Sequence, residues 1–129
     1  DRLDRDGAIR TIKAAADAGV KHWVQVSSMF VNRVEQGPPP LHPFLRNKAA
    51  ADDALRESGM TWTIVRPGGL TNDEPTGKVE IAPELGWGRI TRGDVAAVLV
   101  GVLSSDNVAD QEFDLGNGET PISEALAAL

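Results

Sequence analysis

The sequence predicts an α/β fold in which a mainly parallel sheet is covered by helices on both faces. Three observations carry that expectation. The expected elements alternate as helix, strand, helix, strand, helix, strand, helix, and connections of this length imply crossover units. The strands are short, apolar and rich in β-branched residues, as in a sheet buried on both faces. Gly19 and Gly59 each stand where a helix has to stop and the chain has to turn into a strand.

Each element has its own local reason. Asp4 or Asp6 is expected to cap a helix running to about Ala18, with Ile9, Ile12, Ala15 and Ala16 on its apolar side. Gly19 ends it, because glycine takes positive φ without steric cost. Val20 to Val26 then reads as a short buried strand. The following stretch holds Pro38, Pro39 and Pro40 in a row and continues neither a helix nor a sheet ladder. A second helix starts at Phe44 and ends at Gly59. A strand over Thr61 to Val65 runs into Arg66-Pro67-Gly68-Gly69, and Lys78 to Ile81 forms another short strand. Thr91-x-x-Asp94 opens a strongly apolar helix in the manner of a capping box. Gln111 to Gly116 is the last strand, and Thr120 and Pro121 read as N-cap and first residue of a terminal helix.

The totals narrow the function classes. A chain of 129 residues suits a single domain over residues 1–129. It has no cysteine, so disulfides, thiolate metal sites and cysteine nucleophiles are excluded. With 13 basic against 19 acidic residues, the formal charge is -6, which disfavours nucleic acid and anionic membrane surfaces as partners. The longest apolar run, Val95 to Leu103, is far too short to span a bilayer. A small-molecule substrate and a cytoplasmic location are the expectation. His22 and His42 have no second ligand at metal spacing, so no metal site is expected. Asp52 and Asp53 diverge by ~100° on a helix and read as a solvated face. Trp23, Trp62 and Trp87 read as core or edge packing.

In sheets of this kind ligands bind beyond the carboxyl ends of the strands. Two segments leave those ends here, Ser27-Ser28-Met29 and Arg66-Pro67-Gly68-Gly69, and the site is expected between them. Pro67 fixes the turn, and the two glycines let the backbone approach a flat ligand closely.

Three stretches, DGAIRTIKAAADAGVKHWVQVSSM, FLRNKAAADDALRESGMTWTIVRPGGL and ITRGDVAAVLV, together resemble the short-chain dehydrogenase/reductase superfamily. The similarity is to its atypical, nicotinamide-binding branch, which includes flavin/biliverdin reductase-like and nitrogen-metabolite-repressor-like proteins. The resemblance covers nearly the whole chain and implies the C-terminal part of a doubly wound, Rossmann-type NAD(P)-binding domain. The cofactor it implies is NADP or NAD, with NADP placed first. In that family the serine after the strand binds the substrate oxygen, a tyrosine moves the proton, and a lysine four residues on holds the nicotinamide ribose and lowers the tyrosine pKa. By this resemblance Ser28 and Lys48 are the catalytic candidates, and Ser27, Lys48, Arg66, Pro67, Gly68 and Gly69 are the cofactor-binding candidates. Read without it, Ser27-Ser28 is a polar strand end, Lys48 a solvated helix lysine and Arg66 an ion-pair partner.

Two departures accompany the resemblance. Phe44 stands in the tyrosine position, and the chain contains no tyrosine at all. The family's glycine-rich phosphate turn is also absent: Gly116-Asn117-Gly118 lacks the third glycine and a long following helix. Together with Asp1 at the start, this leads to the expectation of an N-terminally truncated domain. In the family's sheet the strand at Val20 to Val26 is interior, so residues 1–129 in isolation would expose its apolar edge and are expected to associate as a homo-oligomer and to bind the cofactor poorly. The expected function is an oxidoreductase passing hydride to a small organic acceptor. The alternative is a non-catalytic, cofactor-binding redox sensor acting through a protein partner.

Overall fold

The structure is a computed structural model and describes residues 2–129, with side chains from Arg5 onward. Helices α1 (Arg2–Asp17), α2 (His42–Arg56), α3 (Arg92–Leu103) and α4 (Ile122–Ala127) alternate with strands. The strands are β1 (His22–Val26), β2 (Thr61–Pro67), β3 (Gly69–Thr71), β4 (Lys78–Ala82), β5 (Arg89–Thr91), β6 (Gln111–Asn117) and β7 (Thr120–Pro121). Five of them form one sheet in the order β1-β2-β6-β4-β7, while β3 and β5 form a small parallel pair. β1, β2 and β6 are parallel, and β4 runs antiparallel to both β6 and β7. This is the α/β, mainly parallel, Rossmann-type architecture that the sequence predicts.

The period-2 alternation of β2 sends neighbouring residues to opposite faces. Ile64 joins Ile12, Ala51, Leu55 and Met60 beneath α1 and α2. Val65 joins Phe113, Leu115 and the α3 residues Val95, Val98 and Val102 on the other face. Ile64, Val65 and Leu115 are fully buried, each contributing about 2 kcal/mol of transfer free energy. β1 forms one edge of the sheet, paired only with β2 among the described residues.

Several boundaries differ from the expectation. α1 already runs from Arg2, so Asp6 lies inside the helix and does not cap it; the side chain of Asp4 is outside the described residues. β1 starts at His22 because Val20 belongs to the helix ending. Its N–H donates to the Ala15 carbonyl and that of Gly19 to Ala16, with Gly19 at φ +82°, which is a Schellman closure. Thr120 is not a helix cap: Thr120 and Pro121 pair with Val79 and Lys78, and α4 begins only at Ile122. Pairing with β4 overrides the local Thr-Pro signal there.

The start of α3 is built as expected at Thr91, whose Oγ1 accepts from the Asp94 N–H at 3.0 Å. Asp94 departs from a capping box in its own bonds. Its carboxylate accepts the Thr76 and Gly77 amides at 3.0 and 2.9 Å, tying the loop before β4 to the helix. Burial pushes its pKa up, but the Thr76, Gly77 and Thr91 hydrogen bonds outweigh that and hold it below the usual carboxylate range. The stability it contributes is present above the ordinary carboxylate pKa and lost as pH falls through the lower folded value.

Candidate functional site

The parallel ladder between β1 and β2 continues past the strand ends. The Ser27 N–H donates to the Val65 carbonyl at 2.7 Å and the Met29 N–H to the Pro67 carbonyl at 3.0 Å. This register fixes the serine segment against the Pro67-Gly68-Gly69 turn, and both line one cleft of about 190 Å³. The cleft lies at the carboxyl ends of the two strands, as the topology requires. Its remaining walls are apolar, from Met29, Phe30, Leu41, Leu45 and Trp87.

Two aromatic residues shape the outer wall. The Phe30 and Trp87 rings stack with centroids 5.9 Å apart and planes 6° apart. Phe30 holds φ at 75°, a left-handed conformation that is costly for a bulky side chain, and the Arg33 guanidinium sits 4.9 Å from its ring centre. Trp87 is 61% exposed, so it is neither core nor edge packing, contrary to the reading of its position in the sequence. Trp23 and Trp62 do pack against the apolar cluster under α1 and α2.

Lys48 faces a neighbouring cleft of about 270 Å³ between α1 and α2, with Phe44, Asn47, Gln25 and Ala51. Its Nζ donates to the carbonyl of Val26, two residues before Ser28, at 3.4 Å, and lies 6.0 Å from the Phe44 ring centre. The four-residue spacing thus brings residues 44 and 48 together on one helical face, but the phenyl ring offers no proton. The groups present suit a ribose-bearing nucleotide: an ammonium and two carboxamides stand over a floor of Ala8, Ala51 and Phe44.

Ser27 is buried and turns away from both clefts. Its hydroxyl donates to Asp52 Oδ2 at 2.5 Å, and Asp52 is 0% exposed. Asp52 is therefore not part of a solvated face; Asp53 is, with an exposed side chain paired to Arg56. The signal for Asp52 is in the sequence: it falls seven residues after Leu45 and three before Leu55, on the helix's apolar stripe. Its Oδ1 has no hydrogen-bond partner among the described residues. Burial raises its pKa, against the lowering effect of Ser27, Arg56, Gln25 and Lys48. A carboxyl with a raised folded pKa binds more protons folded than unfolded, so its contribution to stability falls as pH rises from the ordinary 3.8 through the folded value. Asp52→Asn is expected to remove that fall and to gain on the order of 1 kcal/mol at neutral pH, keeping an acceptor for Ser27. Urea unfolding of both proteins across pH 3–8 measures it; parallel pH curves would rule it out.

Arg66 is engaged elsewhere in the molecule. Its guanidinium, 2% exposed, donates to Asp114 and Glu112 at 2.7 Å each and to the Pro83 carbonyl at 3.0 Å. Asp114 also accepts from Arg33 at 2.8 Å and from the Leu85 N–H at 2.9 Å. Arg66 lines neither cleft, and the turn enters the Ser28 cleft only at Pro67. His22 and His42 each hold a structural hydrogen bond, to Thr63 Oγ1 and the Gly37 carbonyl. No group of side chains with metal-binding composition occurs among the described residues, and none of their helices is long and apolar enough to cross a membrane.

A doubly wound sheet with its cleft at the carboxyl ends of parallel strands, and a lysine-bearing helix beside it, defines a nucleotide-binding α/β protein. The chain belongs to the NAD(P)H-binding family, whose family model matches residues 1–106. It is 43% identical over 127 residues to the uncharacterized sugar epimerase YhfK of Bacillus subtilis, covering 98% of this chain and 59% of that protein. It is 32% identical to the sanguinarine reductase of Eschscholzia californica, over 97% of this chain and 49% of the relative. The solved structure of the oxidoreductase ylbE from Lactococcus lactis matches with a TM-score of 0.91 and 32% identity, over 98% of this chain and 60% of that one. The chain thus spans about 60% or less of the length of these relatives. The similarity to NAD(P)-binding, oxidoreductase-like proteins that the motifs imply is confirmed.

Proposed function

We propose that the protein is an NAD(P)H-dependent reductase that passes hydride to a small organic acceptor held in the Ser28 cleft. The observation that carries this reading is the convergence of Ser28 with the Pro67-Gly68-Gly69 turn in one apolar cleft at the strand ends. The nicotinamide supplies the hydride when bound. Lys48, with Asn47 and Gln25 in the adjoining cleft, binds the ribose hydroxyls. The Ser28 hydroxyl orients the acceptor oxygen, and among the described residues its only hydrogen bond is a long one of 3.4 Å to the Met29 carbonyl. Gly68 and Gly69 leave the backbone bare beside a flat ring. Phe44 donates no proton, so the proton comes from water or from the acceptor itself. Within this proposal NADP is taken ahead of NAD, the location is cytoplasmic and the protein is a homo-oligomer.

Oxidation of NADPH or NADH in the presence of quinone, flavin or aldehyde acceptors tests the reading, with Lys48→Ala as the diagnostic variant. The expected result is turnover above the uncatalysed rate and a KM for the nucleotide raised about 10- to 100-fold by the substitution, with kcat less affected. Phe44 favours one second reading, a redox sensor without chemistry. Tight nucleotide binding with no turnover on any acceptor supports that reading and ends the first.

A further inference from the structure

A second hollow of about 360 Å³ adjoins the Ser28 cleft, and Met29 and Trp87 line both. The two hollows differ in chemistry. In the first, Ser28 and the Trp87 indole are the only polar side-chain groups; the second is lined by Glu80, Arg89 and Asn117. Gly69 pairs with Arg89 across β3 and β5, which brings the Arg89 side chain to the junction. A Cβ placed at Gly69 would lie 3.4 Å from the Trp87 ring and 3.6 Å from Arg89 Cγ, so the arginine stem and the indole run side by side over the turn. Arg33, Arg56 and Arg66 are all held by carboxylates. The Arg89 side chain has no hydrogen bond or ion pair among the described residues.

We infer that Arg89 anchors a carboxylate on the acceptor, whose apolar part fills the Ser28 cleft. That the bound molecule is the acceptor rests on the reductase reading; the anchor itself rests on the geometry. A guanidinium offers a planar fork of donors that matches the two oxygens of a carboxylate. Glu80 in the same hollow opposes negative charge, which a monoanion tolerates better than a phosphate dianion. The Asn117 amide adds a neutral donor. The acceptor class is therefore a compact, largely apolar carbonyl compound with one carboxylate a short distance from the reacting carbon.

The test is calorimetric titration of the protein, without nucleotide, with 4-carboxybenzaldehyde and with its neutral near-isostere 4-formylbenzamide. The carboxylate is expected to bind more tightly than the amide. Arg89→Gln is expected to weaken the carboxylate about 10- to 100-fold and the amide by less than about threefold. Arg89→Lys recovers part of the loss, and Glu80→Gln tightens the carboxylate while leaving the amide unchanged. Equal effects of Arg89→Gln on both ligands, or no measurable binding of the carboxylate at millimolar concentration, overturn the anchor. NADPH oxidation with the same two aldehydes keeps the two readings apart. Arg89-dependent binding without turnover defeats the reductase reading alone, and turnover indifferent to Arg89 defeats the anchor alone.

Discussion

Asp114→Ala is expected to lower the stability of the protein by about 3–5 kcal/mol, because it leaves two buried guanidinium groups short of a counter-charge. Asp114 is 0% exposed and accepts from Arg66, Arg33 and the Leu85 N–H, all within 2.9 Å. Neither arginine can rehydrate easily, since Arg66 is 2% and Arg33 9% exposed. For a domain of this size the loss corresponds to a fall in Tm of roughly 10–20 °C. The effect should also reach the cleft. Arg33 is bound to Asp114 and to the Leu85 carbonyl, and its guanidinium packs against the ring of Phe30, whose backbone is strained. Thermal and urea unfolding read the stability, with Asp53→Ala as a control expected to cost less than about 1 kcal/mol, its carboxylate being exposed. A loss below 1 kcal/mol for Asp114→Ala would mean that the arginines find other partners.

Gly68→Ala is expected to cost about 1–3 kcal/mol and to weaken ligand binding in the Ser28 cleft more than tenfold. A methyl group at this position would overlap the Gly88 carbonyl oxygen and lie 2.9 Å from its carbon, both backbone atoms that cannot swing aside. The segment carrying Gly88 would have to move, breaking the bond from the Gly69 N–H to the Gly88 carbonyl at 2.9 Å. Trp87 moves with it and leaves Phe30, which opens the cleft wall. Tryptophan fluorescence and near-ultraviolet circular dichroism follow that displacement, and nucleotide or aldehyde titration follows the binding. Gly86→Ala is the contrast, since nothing lies within 4 Å of a Cβ there and no change is expected. Equal behaviour of the two variants would show that the turn is pliable and the cleft not built on it.

The sequence determined the order of elements, the parallel core of the sheet and which strand ends line the candidate cleft. These features are local or periodic. Gly19 and Gly59 end helices through their own backbone freedom, at φ +82° and +83°. Thr91 caps α3 through a bond three residues away, and the run over β2 is apolar on successive residues because both its faces are buried. Ser28 and the Pro67-Gly68-Gly69 turn meet because the carboxyl ends of neighbouring parallel strands must lie side by side.

Only the tertiary structure decided where charges and edges go, since burial and partners are set by chain segments far apart in sequence. Asp52 and Asp53 are adjacent, yet one is sealed against Ser27 and the other lies in solvent, because α2 turns the first toward β1. Arg66 looks like a ligand contact from its place in the turn, but Asp114 and Glu112, more than forty residues later, claim its guanidinium. β3, β5 and β7 are too short for any periodicity and form where a partner strand presents an open ladder. Arg89 and Trp87 come to lie beside Gly69 through the pairing of Gly69 with Arg89, a contact between residues that no local pattern connects.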